Sequence, residues 1–305
     1  MPHFIALIRR IFYIVNPVAG TRSKQPLKEL IQQQSNKAGI FFEIRDAVKE
    51  GGYSFLEPLI QQQGITDIVI AGGDGTVNGV LGSLHQLNVK FGIIPCGSGN
   101  GLAFSAGISK NAKKALQTIF NGKSLATDAF YVNRQFACML CGLGFDAQVA
   151  HDFAQHHTRG RGAYINKIMG NLLKAPVYAF TLTADNFTIT TEAYFISIAN
   201  SNQYGNNFTI APQASLTDGF LDVIVAASQN KISLLLQTLK QVSGLNKVQH
   251  IEEINQAASV LYFRAKNLFI TNLQNAPLHI DGEPVSSTTH VDIQIKEKAF
   301  QLIYP

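Results

Sequence analysis

Three short apolar segments near the amino terminus each lead into a turn that contains glycine. This repeat limits the possible folds more than any other feature of the chain. The segments are residues 12–15, 68–71 and 91–94. Strands that alternate with helices are typical of a parallel sheet, whose turns form ligand sites at the carboxyl ends of the strands. Residues 1–125 are therefore predicted to form an α/β domain with a ligand site at that edge.

The pattern changes near Ala126, where helices become rare between the apolar segments. Those segments are 129–132, 136–141, 178–183, 187–199, 220–226, 259–263, 268–271 and 291–295. Closely spaced strands of this kind favour an antiparallel sandwich. We predict a β-rich domain over residues 126–295, with two helical insertions at 164–174 and 232–242. About 296–305 are expected to return to the first domain.

Composition excludes several classes of protein. Hydrophobic residues make up 46% of the chain, too much for a disordered protein. The 25 Lys and Arg exceed the 20 Asp and Glu by 25 − 20 = 5. This excess suits phosphate ligands or an anionic membrane surface, but a nucleic-acid-binding protein would carry a denser basic stripe. Because Arg9 and Arg10 interrupt the apolar segment 4–15, no run reaches the ~18 residues of a membrane span. We expect a soluble or peripheral protein that binds no nucleic acid.

Cysteine usage indicates a reducing compartment. Cys96, Cys138 and Cys141 are an odd number in a long chain, which disfavours a disulfide framework. Cys138 and Cys141 form a single C-x-x-C, and no second pair completes a zinc site. We interpret them as buried thiols.

The turn after the second strand carries the clearest chemical signal. It consists of Gly72, Gly73, Asp74, Gly75, Thr76, Val77 and Asn78. Glycines let backbone amides approach an anion, and a following helix terminus favours phosphate. Asp74 would repel bare phosphate, so its presence indicates a bridging cation such as Mg²⁺. The alternative is a plain glycine turn with a capping aspartate. The Walker lysine pattern and G-x-G-x-x-G are both absent.

Six segments, in this order, resemble the diacylglycerol kinase catalytic-domain family, which includes bacterial lipid kinases and sphingosine kinases. They are 16–20, 72–78, 92–103, 142–147, 200–222 and 281–283. The resemblance covers residues 12 to about 302. It implies an amino-terminal sheet domain of the kind found in NAD kinases and phosphofructokinases, which would bind nucleotide, and a β-rich domain that would bind lipid. It also implies ATP-dependent phosphorylation of a lipid hydroxyl, such as that of diacylglycerol or a sphingoid base.

The resemblance assigns roles residue by residue. It implies that Glu283 accepts the proton of the lipid alcohol and that Asp74 takes part in catalysis. A structural magnesium ion would bind Asp218 and the carbonyls of Ser215 and Phe220, and Asp281 is a further candidate metal ligand. The implied nucleotide-binding residues are Asn16, Pro17, Val18, Ala19, Gly20, Gly72, Gly73, Asp74, Gly75, Thr76, Val77, Asn78, Ser98, Gly99 and Asn100. Taken alone, the Asp218 and 281–283 segments would be ordinary turns.

Two departures from the family pattern leave the substrate open. Gly79 stands where bacterial diacylglycerol kinases usually carry an acidic residue, and the segment 97–102 looks like the sphingosine kinase branch. The alternatives are an NAD kinase-like enzyme and a nucleotide-binding regulator of weak activity. We expect a cytoplasmic protein that meets an anionic inner membrane surface transiently. A helix over 164–174 could touch it, with a basic rim of Arg159, Arg161, Lys167 and Lys174; the alternative is a core helix.

Overall fold

The structure is a computed structural model. It describes residues 9–20, 23–48, 52–149, 171, 174–185, 187–203, 209–227, 234, 236–237, 240–241, 245, 247–249 and 258–305. Most of the two predicted helical insertions lies outside the described residues, as do Arg159, Arg161 and Lys167 of the predicted basic rim. The chain divides into two compact units. Unit 1 comprises Met1–Thr127 with Ala299–Pro305, and unit 2 comprises Asp128–Lys298.

Unit 1 alternates strands and helices. Its elements are β1 (Arg10–Val15), α1 (Gln25–Lys37), β2 (Phe41–Asp46), a 3₁₀ turn (Ser54–Leu56), α2 (Glu57–Gln63), β3 (Asp67–Gly72), α3 (Asp74–Leu84), β4 (Lys90–Pro95), α4 (Gly101–Ser105) and α5 (Ala112–Asn121). The strands pair in parallel in the order β2-β1-β3-β4. Residues 301–302 near the carboxyl terminus pair beside β4, also in parallel.

Burial explains why these segments form inner strands. Every residue of β3, and all of β1 and β4 but the first, is buried, as expected for parallel strands that helices cover on both faces. The one buried charge of β3, Asp67, is paired with Arg9 by two hydrogen bonds of 2.7 and 3.1 Å. Because β1, β3 and β4 run parallel, their carboxyl ends lie at one edge of the sheet, where the glycine turns begin.

Unit 2 is built from antiparallel strands. The strands from β5 to the end of the chain are β5 (Lys123–Val132), β6 (Gln135–Ala137), β7 (Leu140–Gly144), β8 (Tyr178–Ala184), β9 (Phe187–Ala199), β10 (Leu221–Ala227), β11 (Val260–Ala265), β12 (Asn267–Thr271), β13 (Leu278–Ile280), β14 (Glu283–Val285) and β15 (His290–Tyr304). Within unit 2 the order is β14-β13-β7-β9-β8-β12-β15, and β10 pairs with β9 and β11. The predicted fold class, a parallel α/β domain followed by an antiparallel β-rich domain, is confirmed.

One predicted strand is wrong. The segment 136–141 is not continuous, because β6 ends at Ala137 and β7 begins at Leu140. Between them, the backbone amides of Cys138 and Met139 bind a carboxylate instead of a neighbouring strand. Cys138 and Cys141 are buried thiols that form no disulfide, as expected. Among the described residues, no helix is long and apolar enough to cross a membrane.

Candidate active site

Two glycine turns of unit 1 lie backbone against backbone at the carboxyl ends of β3 and β4. A Cβ atom added to Gly97 would lie 2.6 Å from the Cα of Gly73. The amide of Cys96 also donates to the carbonyl of Gly72 at 2.8 Å. Real Cβ atoms essentially never approach within 3.0 Å, so the contact requires glycine at position 97, and a Cβ on Gly73 would be tight at 3.1 Å from the Cα of Gly97.

Asp74 fastens these two turns together. Its carboxylate oxygens accept the backbone amides of Asn100 and Gly101 at 2.6 and 2.7 Å. Asn100 has a φ of 60° and closes its own turn, because its side chain exchanges two 2.8 Å hydrogen bonds with the backbone of Gly97. The sequence predicts a cation beside Asp74. The structure adds that Asp74 positions the neighbouring turn, through an interaction between residues 26 positions apart.

A third turn joins the same edge. The side-chain amide of Asn16 donates to Thr76 Oγ1 at 2.8 Å, and its Oδ1 accepts the amide of Val18 at 3.0 Å. Gly20 has a φ of 69°, and a Cβ there would lie 2.6 Å from the carbonyl oxygen of Cys96. The segments 16–20, 72–78 and 97–100, predicted separately, thus form one cluster.

The cluster offers donors suited to phosphate. The N-cap of α3 is Gly73, which has no side chain to cap the amino terminus of the helix. The first amides of a helix lack partners within it and attract anions. Several predicted residues are exposed there: Pro17, Val18, Gly20, Gly75 and Ser98. Ala19 and Asn78 are half-buried, Gly99 is buried, and Val77 belongs to the core. The residues present therefore fit the phosphates of a nucleotide.

In unit 2, Glu283 is exposed at the end of a tight hairpin between β13 and β14. Both central residues of the hairpin have positive φ, 49° at Asp281 and 87° at Gly282, which is the geometry of a type I′ turn. The Asp281 carboxylate accepts the amides of Cys138, Met139 and Leu140, each at 2.9 Å. Asp281 thereby anchors the turn, and its assignment as a metal ligand stays a prediction.

Asp218 lies in a second turn of unit 2. Its Oδ1 accepts the amide of Phe220 at 3.2 Å, and its Oδ2 lies 3.4 Å from Arg264 Nη1. Together with the carbonyls of Ser215 and Phe220 it offers the oxygen ligands that Mg²⁺ prefers, while Arg264 supplies a competing positive charge. No cluster of three or more His, Cys, Asp or Glu suited to a metal occurs in the described part of the chain.

Four polar residues that the structure places near these turns were not predicted as site residues. Buried Asp128 accepts the amides of Gly219 and Lys298 at 2.8 and 2.7 Å. Buried His279 contacts Asp146 and the turn at 281–283. The missed residues are Asp128, Asp146, Arg264 and His279. A charged or polar residue within an apolar strand is the signal that could have found Asp128 and His279.

Family models match both halves of the chain. Residues 10–132 match the diacylglycerol kinase catalytic domain, and residues 140–304 match the YegS C-terminal NAD kinase beta sandwich-like domain. The chain belongs to the diacylglycerol kinase catalytic-domain family. The resemblance carried by the six segments is therefore confirmed.

The proteins similar to this diacylglycerol kinase family member match most of its chain. The Synechocystis sp. protein named "Uncharacterized protein sll0036" is 30% identical over 96% of this chain and 69% of its own length. A Shewanella frigidimarina protein named "Probable lipid kinase YegS-like" is 26% identical over 78% of this chain and 76% of its own. A solved structure described as a diacylglycerol kinase from Bacillus anthracis str. Sterne has a TM-score of 0.72 at 19% identity, covering 97% of each chain; this likeness shows the fold.

Proposed function

We propose that this lipid kinase family member transfers the γ-phosphoryl group of ATP to the hydroxyl of a lipid such as diacylglycerol or a sphingoid base. The observation that carries the proposal is the Asp74 carboxylate, which joins two glycine turns at the amino terminus of α3. Kinases need such a fixed backbone cradle, because catalysis of phosphoryl transfer is mostly positioning and charge stabilisation.

The nucleotide phosphates would bind the cluster formed by 16–20, 72–78 and 97–100. Exposed Gly75 and Ser98 offer backbone and hydroxyl donors there, and the dipole of α3 favours negative charge. Mg²⁺, when bound with ATP, would neutralise charge on the phosphates, and Asp74 is the carboxylate of the cluster able to face it. Asp218, Ser215 and Phe220 would hold the separate structural ion.

Glu283 would accept the proton of the lipid hydroxyl. Its carboxylate is exposed, so it can reach a substrate, whereas the residues that fix its backbone are buried. An acceptor of this kind contributes in the transition state and little to ground-state binding of nucleotide. A general base needs an accessible side chain on a fixed backbone, and Glu283 combines the two.

The direct test is phosphorylation with labelled ATP of diacylglycerol, a sphingoid base, other lipid alcohols and NAD, resolved by thin-layer chromatography. We expect labelled lipid and no labelled NADP. Labelled NADP alone would replace the proposal with NAD kinase activity. Binding of ATP without transfer to any acceptor would indicate a regulator.

Glu283→Gln tests the proposed base. We expect kcat to fall about 10²–10⁴-fold with little change in the KM for ATP, because amide cannot accept the proton. Steady-state kinetics with the lipid acceptor identified above provide the measurement. An effect confined to KM would instead assign Glu283 to binding.

The proposed lipid substrate implies a transient encounter with a bilayer. The net charge of +5 would favour anionic lipids, and each basic side chain near such a surface contributes about 1 kcal/mol. We propose that Arg159, Arg161, Lys167 and Lys174 contribute. Their joint replacement by Gln should weaken sedimentation with anionic vesicles, as added salt should. Equal binding by variant and parent at low salt would exclude this segment.

A further inference from the structure

A buried pair of side chains connects the segment 142–147 to the hairpin that carries Glu283. His279 Nε2 lies 3.2 Å from Asp146 Oδ2, and the amide of Gly282 donates to His279 Nδ1 at 3.2 Å. His279 is fully buried and Asp146 is 6% exposed. The contacts therefore form a chain from Asp146 through the imidazole to the backbone next to Glu283.

The direction of these hydrogen bonds fixes the state of the imidazole. A backbone amide only donates, so Nδ1 must carry no proton. Nε2 is then the protonated nitrogen and donates a hydrogen bond to the Asp146 carboxylate. A carboxylate beside a histidine is a common device for holding one tautomer and one ring orientation.

The segment 142–147 is shaped to admit this pair. A Cβ atom added to Gly142 would overlap Asp146 Oδ2 and lie 2.9 Å from His279 Nε2. Gly144 has a φ of 73°, which ends β7 and starts the helical residues 145–149 that carry Asp146. Strand register also brings the pair together, because β13 places His279 directly opposite Gly142 of β7. The glycines of this segment thus have a physical purpose that its sequence alone did not reveal.

We infer that His279 is a positioning residue for Glu283 and that Asp146 holds its imidazole in the tautomer that accepts the Gly282 amide. Asp281 holds one side of the hairpin through three backbone amides, and His279 holds the other side through Gly282. The two anchors act on the two central residues of the turn, so together they fix the hairpin relative to the strands around it. This inference rests on the proposed role of Glu283, although the contact itself does not.

Two nearly isosteric substitutions separate the halves of the contact chain. The oxygen of His279→Asn can replace Nδ1 and accept the Gly282 amide, while the link to Asp146 is lost. The amide nitrogen of His279→Gln can replace Nε2 and donate to Asp146, while the acceptor for Gly282 is lost. Ile270→Val, a change in the buried core of unit 2, serves as a control for general destabilisation.

We expect His279→Gln to lower kcat about 10²-fold, the scale of a 1 Å misplacement, with the KM for ATP within about twofold. His279→Asn should recover most of that loss, and Ile270→Val should keep the parental kcat. Equal losses in the Asn and Gln variants, or a parental kcat in His279→Gln, would overturn the inference.

Measurements on the unmodified protein test the His279 contacts separately from the proposed role of Glu283. Nitrogen chemical shifts of the imidazole should show a protonated Nε2 and an unprotonated Nδ1, and the Gly282 amide should exchange slowly. A protonated Nδ1 or a rapidly exchanging amide would refute the contact. If the protein phosphorylates no lipid but both measurements are as expected, the proposed function fails and the contact stands without a role for Glu283. If Glu283→Gln loses activity and His279→Gln does not, only the positioning role fails.

Discussion

The glycine turns of unit 1 and the hairpin of unit 2 are fixed by different means. In unit 1, backbone meets backbone, and the Gly73–Gly97 contact leaves no space for a side chain. In unit 2, the hairpin at 281–283 is surrounded by open space at Gly282, where an added Cβ would meet nothing within 4 Å. Its support comes from the side chains of Asp281 and His279.

The difference suits the two proposed tasks. A phosphate cradle uses many amides at once, so the chain there must be bare and closely packed. A general base is a single side chain whose placement depends on its own turn. The two regions should therefore respond to opposite kinds of substitution: unit 1 to added volume and unit 2 to lost hydrogen-bond acceptors. Asp74 is the exception in unit 1, because it acts through acceptors.

Asp74→Asn should produce the largest effect. Asparagine keeps one acceptor oxygen, but its NH₂ group, a donor, replaces the second oxygen and faces a backbone amide of Asn100 or Gly101, which also donates. The substitution also removes the charge proposed to face Mg²⁺. We expect phosphoryl transfer to fall on the order of 10³-fold or more, while the circular dichroism spectrum stays unchanged. Initial rates with the preferred lipid acceptor give the measurement. Unchanged turnover would remove Asp74 from the proposed site.

Gly97→Ala tests the contact between the two glycine turns by adding volume alone. The new methyl group would meet the backbone of Gly73, and overpacking of this kind costs about 1–3 kcal/mol. We expect weaker ATP binding by calorimetry and a lower unfolding temperature.

Gly79→Ala is the matched control for Gly97→Ala. A Cβ at Gly79 would make an ordinary 3.6 Å contact with Tyr53, and alanine within a helix is favoured over glycine by about 0.5–1 kcal/mol. We expect unchanged ATP binding and a slightly more stable protein. Equal losses in both variants would show that α3, rather than the contact between the turns, is sensitive.

The sequence was sufficient where the signal is local. The alternating strands and helices of unit 1, its glycine segments and the closely spaced strands of unit 2 depend on neighbours along the chain. The supporting contacts were not predictable in this way. Asp146 and His279 are 133 positions apart, and Asp128 and Lys298 are 170 apart. Their meeting depends on strand register, which periodicity does not specify between distant strands. The interruption at Cys138 and Met139 has the same cause, because the acceptor, Asp281, lies far along the chain.

The two units also differ in how they satisfy a buried carboxylate. In unit 1, Asp67 receives two hydrogen bonds from Arg9. In unit 2, Asp222 is fully buried, and its Oδ1 accepts Tyr262 Oη at 2.6 Å and lies 3.4 Å from Arg264 Nε. Its Oδ2 has no hydrogen-bond partner among the described residues. Burial raises the pKa of Asp222 despite the opposing effects of Tyr262 and Arg264.

Asp222→Asn should therefore give a small, pH-dependent change with a definite sign. Because the folded pKa lies above the ordinary value of 3.8, the contribution of Asp222 to stability is complete below that pH and is lost as the pH rises through the folded pKa. The advantage of the parent over Asp222→Asn should shrink by about 1.4 kcal/mol for each unit by which the two pKa values differ. Urea unfolding of both proteins from acid to neutral pH measures this difference. Glu297→Gln should show the opposite trend, since its hydrogen bond with Lys266 lowers the pKa of Glu297, and exposure should make that trend weak. A parental advantage that grows as the pH rises would mean that Tyr262 and Arg264 outweigh the burial of Asp222.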